Sequence, residues 1–216
     1  MAMELLKSVM DALREVLTRR RDAIWLAVKQ RAKFEGWLKL ELARALKEAG
    51  LTNIRLECQY VGKKKADLAF GFEDGLCFIE LSMCNTNWRV EGVESATRPI
   101  TKNVEHVLKD IEKLKMVKEP NLGIALTLFF PVPIDWSAQD LLDKVSRIKG
   151  GKELLKEPYI LDTVEVGDGV GVAAFLFGPY RSGRALFELL GLRSMLKGIR
   201  VDEDEIAEAK KSLWRR

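Results

Sequence analysis

The chain is poor in the residues on which thiolate, zinc and triad chemistry depend. Its 216 residues include one histidine, His106, and three cysteines, Cys58, Cys77 and Cys84. The cysteines show no CxxC spacing, which argues against a Cys/His zinc site. Reduced thiols partly buried in strands are the plain reading. A single histidine leaves little room for Ser-His-Asp or Cys-His catalysis. Long apolar runs are also missing. The longest uncharged stretch, Pro120 to Ile134, carries Pro131 and Pro133 inside it and is too short to span a bilayer. No repeat, low-complexity tract or Pro/Gly/Ser-rich linker divides the chain. Met1-Ala2-Met3-Glu4 begins an amphipathic pattern rather than a signal-peptide core. The expectation is a cytoplasmic protein with no membrane segment, folded as one domain over residues 1–216.

What is present supports a folded core. Hydrophobic residues make up 47% of the chain, and charged residues, mixed in sign, 31%. That suits one sizeable α/β domain and not a disordered chain. A net charge of +4 and a pI near 8.9 permit a polyanionic partner without demanding one.

Periodicity orders the elements. Leu5, Leu6, Val9, Leu13, Val16 and Leu17 have helical spacing, and a second helix runs from about Ala23 to Ala49, ending at Gly50. Ile54, Leu56, Cys58 and Tyr60 alternate as a strand. Two further strands flank the turn Phe72-Glu73-Asp74-Gly75. Asn85 to Arg98 is irregular and polar. Pro99 opens a helix to about Lys118, and Gly123 to Phe130 is a buried strand. Trp136 to Lys149 reads as a helix, Pro158 to Val166 and Val170 to Phe177 as strands, and Arg184 to Lys197 and Asp202 to Arg216 as closing helices.

The strands around the turn carry the chemistry. Asp67 lies in Lys64-Lys65-Ala66-Asp67 and Glu80 in Phe78-Ile79-Glu80-Leu81-Ser82. With Glu73-Asp74 as the turn pair, Asp67 lies directly opposite Glu80, and Lys65 opposite Ser82. With Asp74-Gly75 as the turn pair, Asp67 lies one diagonal step from Glu80. Both registers keep the acids on one face, because side chains alternate with a period of two. Opposed Cβ atoms would be roughly 4.5–5.5 Å apart, so the like charges call for a cation between them. Two such acids with lysines nearby are what a Mg²⁺-dependent phosphodiesterase site needs. On the second helix, Phe34, Trp37, Leu38, Leu42 and Ala45 form one stripe. Glu41 falls inside it and Glu35 on its edge. A carboxylate on a packing face needs a cation or hydrogen bonds, so Glu41 is the candidate to lean toward Asp67 and Glu80.

These residues resemble the motif of the PD-(D/E)XK nuclease superfamily. Glu41 stands on the leading helix, Ala66-Asp67 stands for Pro-Asp, and Glu80-Leu81-Ser82 stands for Glu-x-Lys, over roughly residues 23–130. The resemblance implies a restriction-endonuclease-like core: helix, three-strand meander, crossover helix and further strand. Extra N- and C-terminal helices surround it, and residues 131–216 extend the sheet and pack against it. It further implies Mg²⁺ (or Mn²⁺) held by Asp67, Glu80, the Leu81 backbone carbonyl and Glu41, with DNA as substrate, RNA as the alternative, and a homodimer as the cutting unit. Ser82 occupies the place of the family's lysine. Lys65, on the face of Asp67, is the candidate substitute, and Lys102, one turn before His106, is a second. Lys63, Lys64, Arg89 and Lys102 are candidate nucleic-acid contacts. Ser82 also supports an alternative: a catalytically inactive nuclease fold that binds nucleic acid or a protein partner. A third reading is an unrelated α/β protein with solvated acids.

Rival motifs are weaker. Gly178 to Ala185 mimics a P-loop, but Arg184 and Ala185 replace its lysine and hydroxyl, and Pro179 removes an N–H. It reads as a strand-to-helix turn at which Arg181 and Arg184 could hold a phosphate. Gly167-x-Gly169-x-Gly171 reads as a hairpin turn, and Asp202 to Glu205 as a helix start.

Overall fold

Strand alternation and helical stripes assort here into three layers. The computed structural model describes residues 2–94, 100–181 and 184–185. Three helices come first: α1 (Ala2–Arg19), α2 (Arg21–Lys29) and α3 (Glu35–Glu48). The meander β1 (Arg55–Val61), β2 (Lys64–Phe72) and β3 (Gly75–Asn85) follows, then α4 (Ile100–Leu114) and β4 (Leu122–Pro133). The rest comprises α5 (Ala138–Ser146), α6 (Gly151–Leu154), β5 (Tyr159–Gly167), β6 (Val170–Arg181) and the short β7 (Arg184–Ala185). The strands form one sheet in the order β1-β2-β3-β4-β6-β5, with β7 paired to β6. β3 and β4 run parallel, so α4 serves as their crossover, and every other pairing is antiparallel. The protein is therefore of the α/β class, built on a mixed sheet.

Each face of the sheet has its own core. Leu6, Val9 and Leu13 of α1 and Leu38 and Leu42 of α3 pack with Leu68, Phe70, Ile79 and Leu126 on one side. Val104, Val107 and Ile111 of α4, with Leu141 and Leu154, pack with Phe78, Phe129 and Phe175 on the other. β4 is covered on both faces, which explains why its sequence loses the polar alternation of a half-exposed strand.

Two expectations are corrected. The single helix from Ala23 to Ala49 is two helices, separated at Gln30–Phe34. The break is made by Arg31, which takes a left-handed backbone (φ 52°) and is buried. Its guanidinium donates to Asn85 Oδ1 at 3.2 Å and Trp88 O at 2.9 Å, and to the carbonyls of Thr86 and Glu94. Asn85 Nδ2 donates back to Arg31 O at 2.8 Å. An arginine some fifty residues distant in sequence thus pins the segment after β3, and an apolar stripe carries no sign of it. The second correction concerns Gly178 to Ala185. β6 continues to Arg181, and Arg184–Ala185 pair back onto Arg181 and Tyr180, so no helix starts there. Arg181 contacts Glu73 at 3.5 Å. The rest of the expected helix to Lys197 and the helix from Asp202 to Arg216 lie outside the described residues. Among the described residues no helix is long and apolar enough to cross a membrane.

Replacing Arg31 by alanine removes the guanidinium from three carbonyls and Asn85. The expected cost is about 3 kcal/mol of unfolding free energy. Urea titration of wild type and Arg31→Ala measures it; a loss under about 1 kcal/mol would show that the segment holds itself in place.

Candidate functional site

The β2–β3 hairpin closes with Phe72 opposite Gly75, so Glu73-Asp74 is the turn pair and the first of the two registers is adopted. Its ladder runs to Leu68 opposite Ile79 and stops there. Asp67 and Glu80 would be the next pair, at the point where β2 parts from β3. The alternation of β2 also breaks here: Leu68 packs with the α1–α3 core, whereas Ala66 packs with the α4–α6 core. On the other side, Glu57 lies between the paired residues Leu56 and Cys58 of β1 and has a left-handed backbone (φ 51°).

Asp67 fills the split. Its Oδ2 accepts the backbone N–H of Leu81 at 2.8 Å, and its Oδ1 accepts from Lys39 Nζ at 2.9 Å. Lys39, on α3, also donates to Glu57. Glu80, 8% exposed, receives the Tyr60 hydroxyl on Oε1 at 2.8 Å. Asp110, buried on α4, accepts from Ser82 Oγ at 3.1 Å and from Lys113 Nζ, and His106 Nδ1 lies 3.1 Å from it.

The groups feel one another. Burial pushes the Glu80 carboxyl up to about 7; the charges of Asp110 and Asp67 add to this, and the Tyr60 hydrogen bond and Lys113 oppose it. Glu35, on α3, is raised by burial and then by Asp67. Tyr60 is pushed far above its ordinary value by burial, the hydrogen bond to Glu80 and the neighbouring carboxylates. Burial disfavours the charged form of Lys39, but its hydrogen bonds to Glu57 and Asp67 outweigh that and raise it. Lys113 likewise loses to burial and gains more from Asp110, Glu80 and Asp67.

Of the residues named from sequence, Asp67, Glu80 and the Leu81 backbone come together. Glu41 does not join them. It is held by Arg20 at 3.2 Å and lies 3.8 Å from both Arg19 and Arg44, tying α3 to the α1–α2 corner. Glu35 and Lys39, one turn apart, share the helix face that meets the acids, and position 41 points elsewhere. Lys65 is exposed, opposite Gln59 in the β1–β2 ladder; the ammonium groups at the acids belong to Lys39 and Lys113. Lys63, Lys64, Arg89 and Lys102 are exposed. Sequence reasoning missed Lys39, Tyr60, Asp110 and Lys113. One signal was available: Asp110 sits within the stripe Val104, Val107, Ile111 and Leu114, the same criterion that singled out Glu41.

Among the described residues no group of three or more His, Cys, Asp or Glu side chains is placed to hold a metal ion. The donor set in question is smaller. Asp67, Glu80 and the Leu81 carbonyl offer oxygen only, which is the chemistry a hard cation accepts when it keeps several waters. Lys39 supplies one of the positive charges that opposed acids require. Comparison with protein-family models, curated proteins and solved structures gives no match.

The Glu80 carboxyl yields a pH prediction. Its ordinary value is 4.5 and its folded value about 7, so between these the native state binds more protons than the unfolded chain. Its contribution to stability therefore falls as pH rises through that window and is flat outside it. Glu80→Gln, which keeps an acceptor for Tyr60, should be roughly 2–3 kcal/mol more stable than wild type at about pH 8, with the gain shrinking toward about pH 4.5. Denaturant unfolding at both pH values checks this; an equal difference at both would remove the titration as the cause.

Proposed function

We propose that the chain is a Mg²⁺- or Mn²⁺-dependent phosphodiester hydrolase acting on DNA, built on a restriction-endonuclease-like core. The observation that carries this reading is the pairing of half-buried Asp67 with buried Glu80 at the split between β2 and β3, with Asp110 adding negative charge from α4. The element order supports it: a helix, an antiparallel meander, a crossover helix and a strand parallel to β3.

Asp67, Glu80 and the Leu81 carbonyl would hold the metal, which when bound lowers the pKa of its water and polarises the phosphodiester. Tyr60 fixes one oxygen of Glu80 and leaves the other to ligate. Asp110 binds both Ser82 and Lys113, so the ammonium expected at position 82 arrives from the helix instead. Lys113 takes over the role assigned from sequence to Lys65: it orients the attacking water or offsets charge developing on the phosphate. Glu41, neutralised by arginines, has no part in this arrangement.

A second reading rests on Lys39. Its ammonium already neutralises Asp67, which suits a catalytically inactive relative that binds nucleic acid or a protein.

Supercoiled and branched DNA, with an RNA control, incubated with and without Mg²⁺ or Mn²⁺ separates the two readings. Cutting should require the divalent ion and fall by at least about 100-fold in Asp67→Ala, and by about tenfold or more in Lys113→Ala. Ser82→Lys should restore part of the Lys113→Ala loss. Binding without cutting selects the second reading, and wild-type cutting by Asp67→Ala removes the first.

A further inference from the structure

The exposed side of α4 and the β1–β2 turn border a shallow, open groove of about 420 Å³ lined by Lys64, Leu108, Lys109, Glu112, Lys113 and Met116. Lys109, Glu112, Lys113 and Met116 recur at helical spacing, so they form one face of α4 and of the turn that ends it. Lys64 forms the opposite wall, beside the exposed Lys63 and Lys65. The floor is apolar, and Met116 is 44% exposed there. The one acid, Glu112, is engaged by Lys115 at 3.0 Å, which reduces its repulsion of an anion. At one end lies Lys113, whose ammonium rests on Asp110 of the acid cluster.

We propose that this groove is the path of a single strand of nucleic acid running to the acid cluster. This extends the hydrolase reading and rests on it only for the direction of the path. Cations on both rims over an apolar floor match a chain that carries phosphates on one edge and exposed bases and sugars on the other. A duplex keeps its bases stacked inside, so it would meet the rims and leave Leu108 and Met116 uncovered. Lys64 and Lys109 contact phosphates. Met116 and Leu108 lie under a base or sugar. Lys113 passes the strand to Asp67 and Glu80.

The experiment is fluorescence anisotropy of a labelled oligothymidylate and a duplex of equal length, in EDTA, with the full chain. Lys64→Glu and Lys109→Glu should each weaken oligothymidylate binding roughly five- to tenfold. Each should also make its salt dependence shallower, by about 0.7 in log–log slope for every phosphate left without its lysine. Met116→Asp should weaken the single strand more than the duplex. Lys149→Glu, altering an exposed lysine elsewhere that faces Glu105, should change neither. Thermal melting of each variant confirms folding. The proposal is overturned if wild type does not bind the oligomer, if Lys64→Glu and Lys109→Glu bind as wild type does, or if Met116→Asp affects duplex and single strand alike. Because EDTA removes any need for metal, groove-dependent binding without cutting would defeat the hydrolase reading alone. Cutting without groove-dependent binding would defeat the groove alone.

Discussion

Where β2 leaves β3, the N–H of Leu81 would face a missing ladder partner, and an unpaired buried N–H costs about 1–3 kcal/mol. The Asp67 carboxylate takes the place of that partner. A side chain that substitutes for a strand need not follow the strand's geometry. The sheet can therefore open at this point without losing the hydrogen bond. The change of packing side between Leu68 and Ala66, and the left-handed backbone at Glu57 across β1, belong to the same local departure from a regular sheet. At this opening Lys39 of α3 meets Asp67 from one layer, and Lys113 of α4, bound to Asp110 in the other, feels the charges of Glu80 and Asp67.

A charge-assisted hydrogen bond there has a consequence. Asp67 accepts hydrogen bonds from a lysine and an amide, and Asp110 from Lys113 and Ser82. Glu80 feels the charge of both, and its short contact is with the neutral Tyr60 hydroxyl. It is also nearly excluded from water. Burial, backed by the two neighbouring charges, makes it the carboxyl that rises into the neutral range, while its neighbours keep their own counter-ions. The two lysines come from opposite faces of the sheet, so neutralisation of the cluster depends on the packing of both helical layers.

The turn Phe72-Glu73-Asp74-Gly75 and the alternation around it were enough to place Asp67 and Glu80 as neighbours, because strand pairing has a period of two and the turn sets its phase. The apolar stripe of α3 was also legible: Phe34, Leu38, Leu42 and Ala45 are buried as the wheel requires. Yet the stripe misjudged the partner of Glu41. A wheel shows that a carboxylate is on a packing face and says nothing of what packs there; α1 and α2 bring Arg19 and Arg20 to it. Asp110 satisfied the same test on α4 and went unremarked. Lys39 had no distinguishing pattern, since a lysine at the margin of a stripe is ordinary on any amphipathic helix.

Sequence alone was enough for the order of elements from α3 to β4 and for placing the two acids on one face of the hairpin in either of its two registers. These are set by local periodicity and turn chemistry, which act over a few residues. The tertiary structure decided where the ladder stops, that Arg31 splits a helix by binding the carbonyls of residues 86, 88 and 94, and which cations meet the acids. Those outcomes depend on which side chains converge from separate layers, and the energy of a buried charge is set by its neighbours in space, whatever their place along the chain.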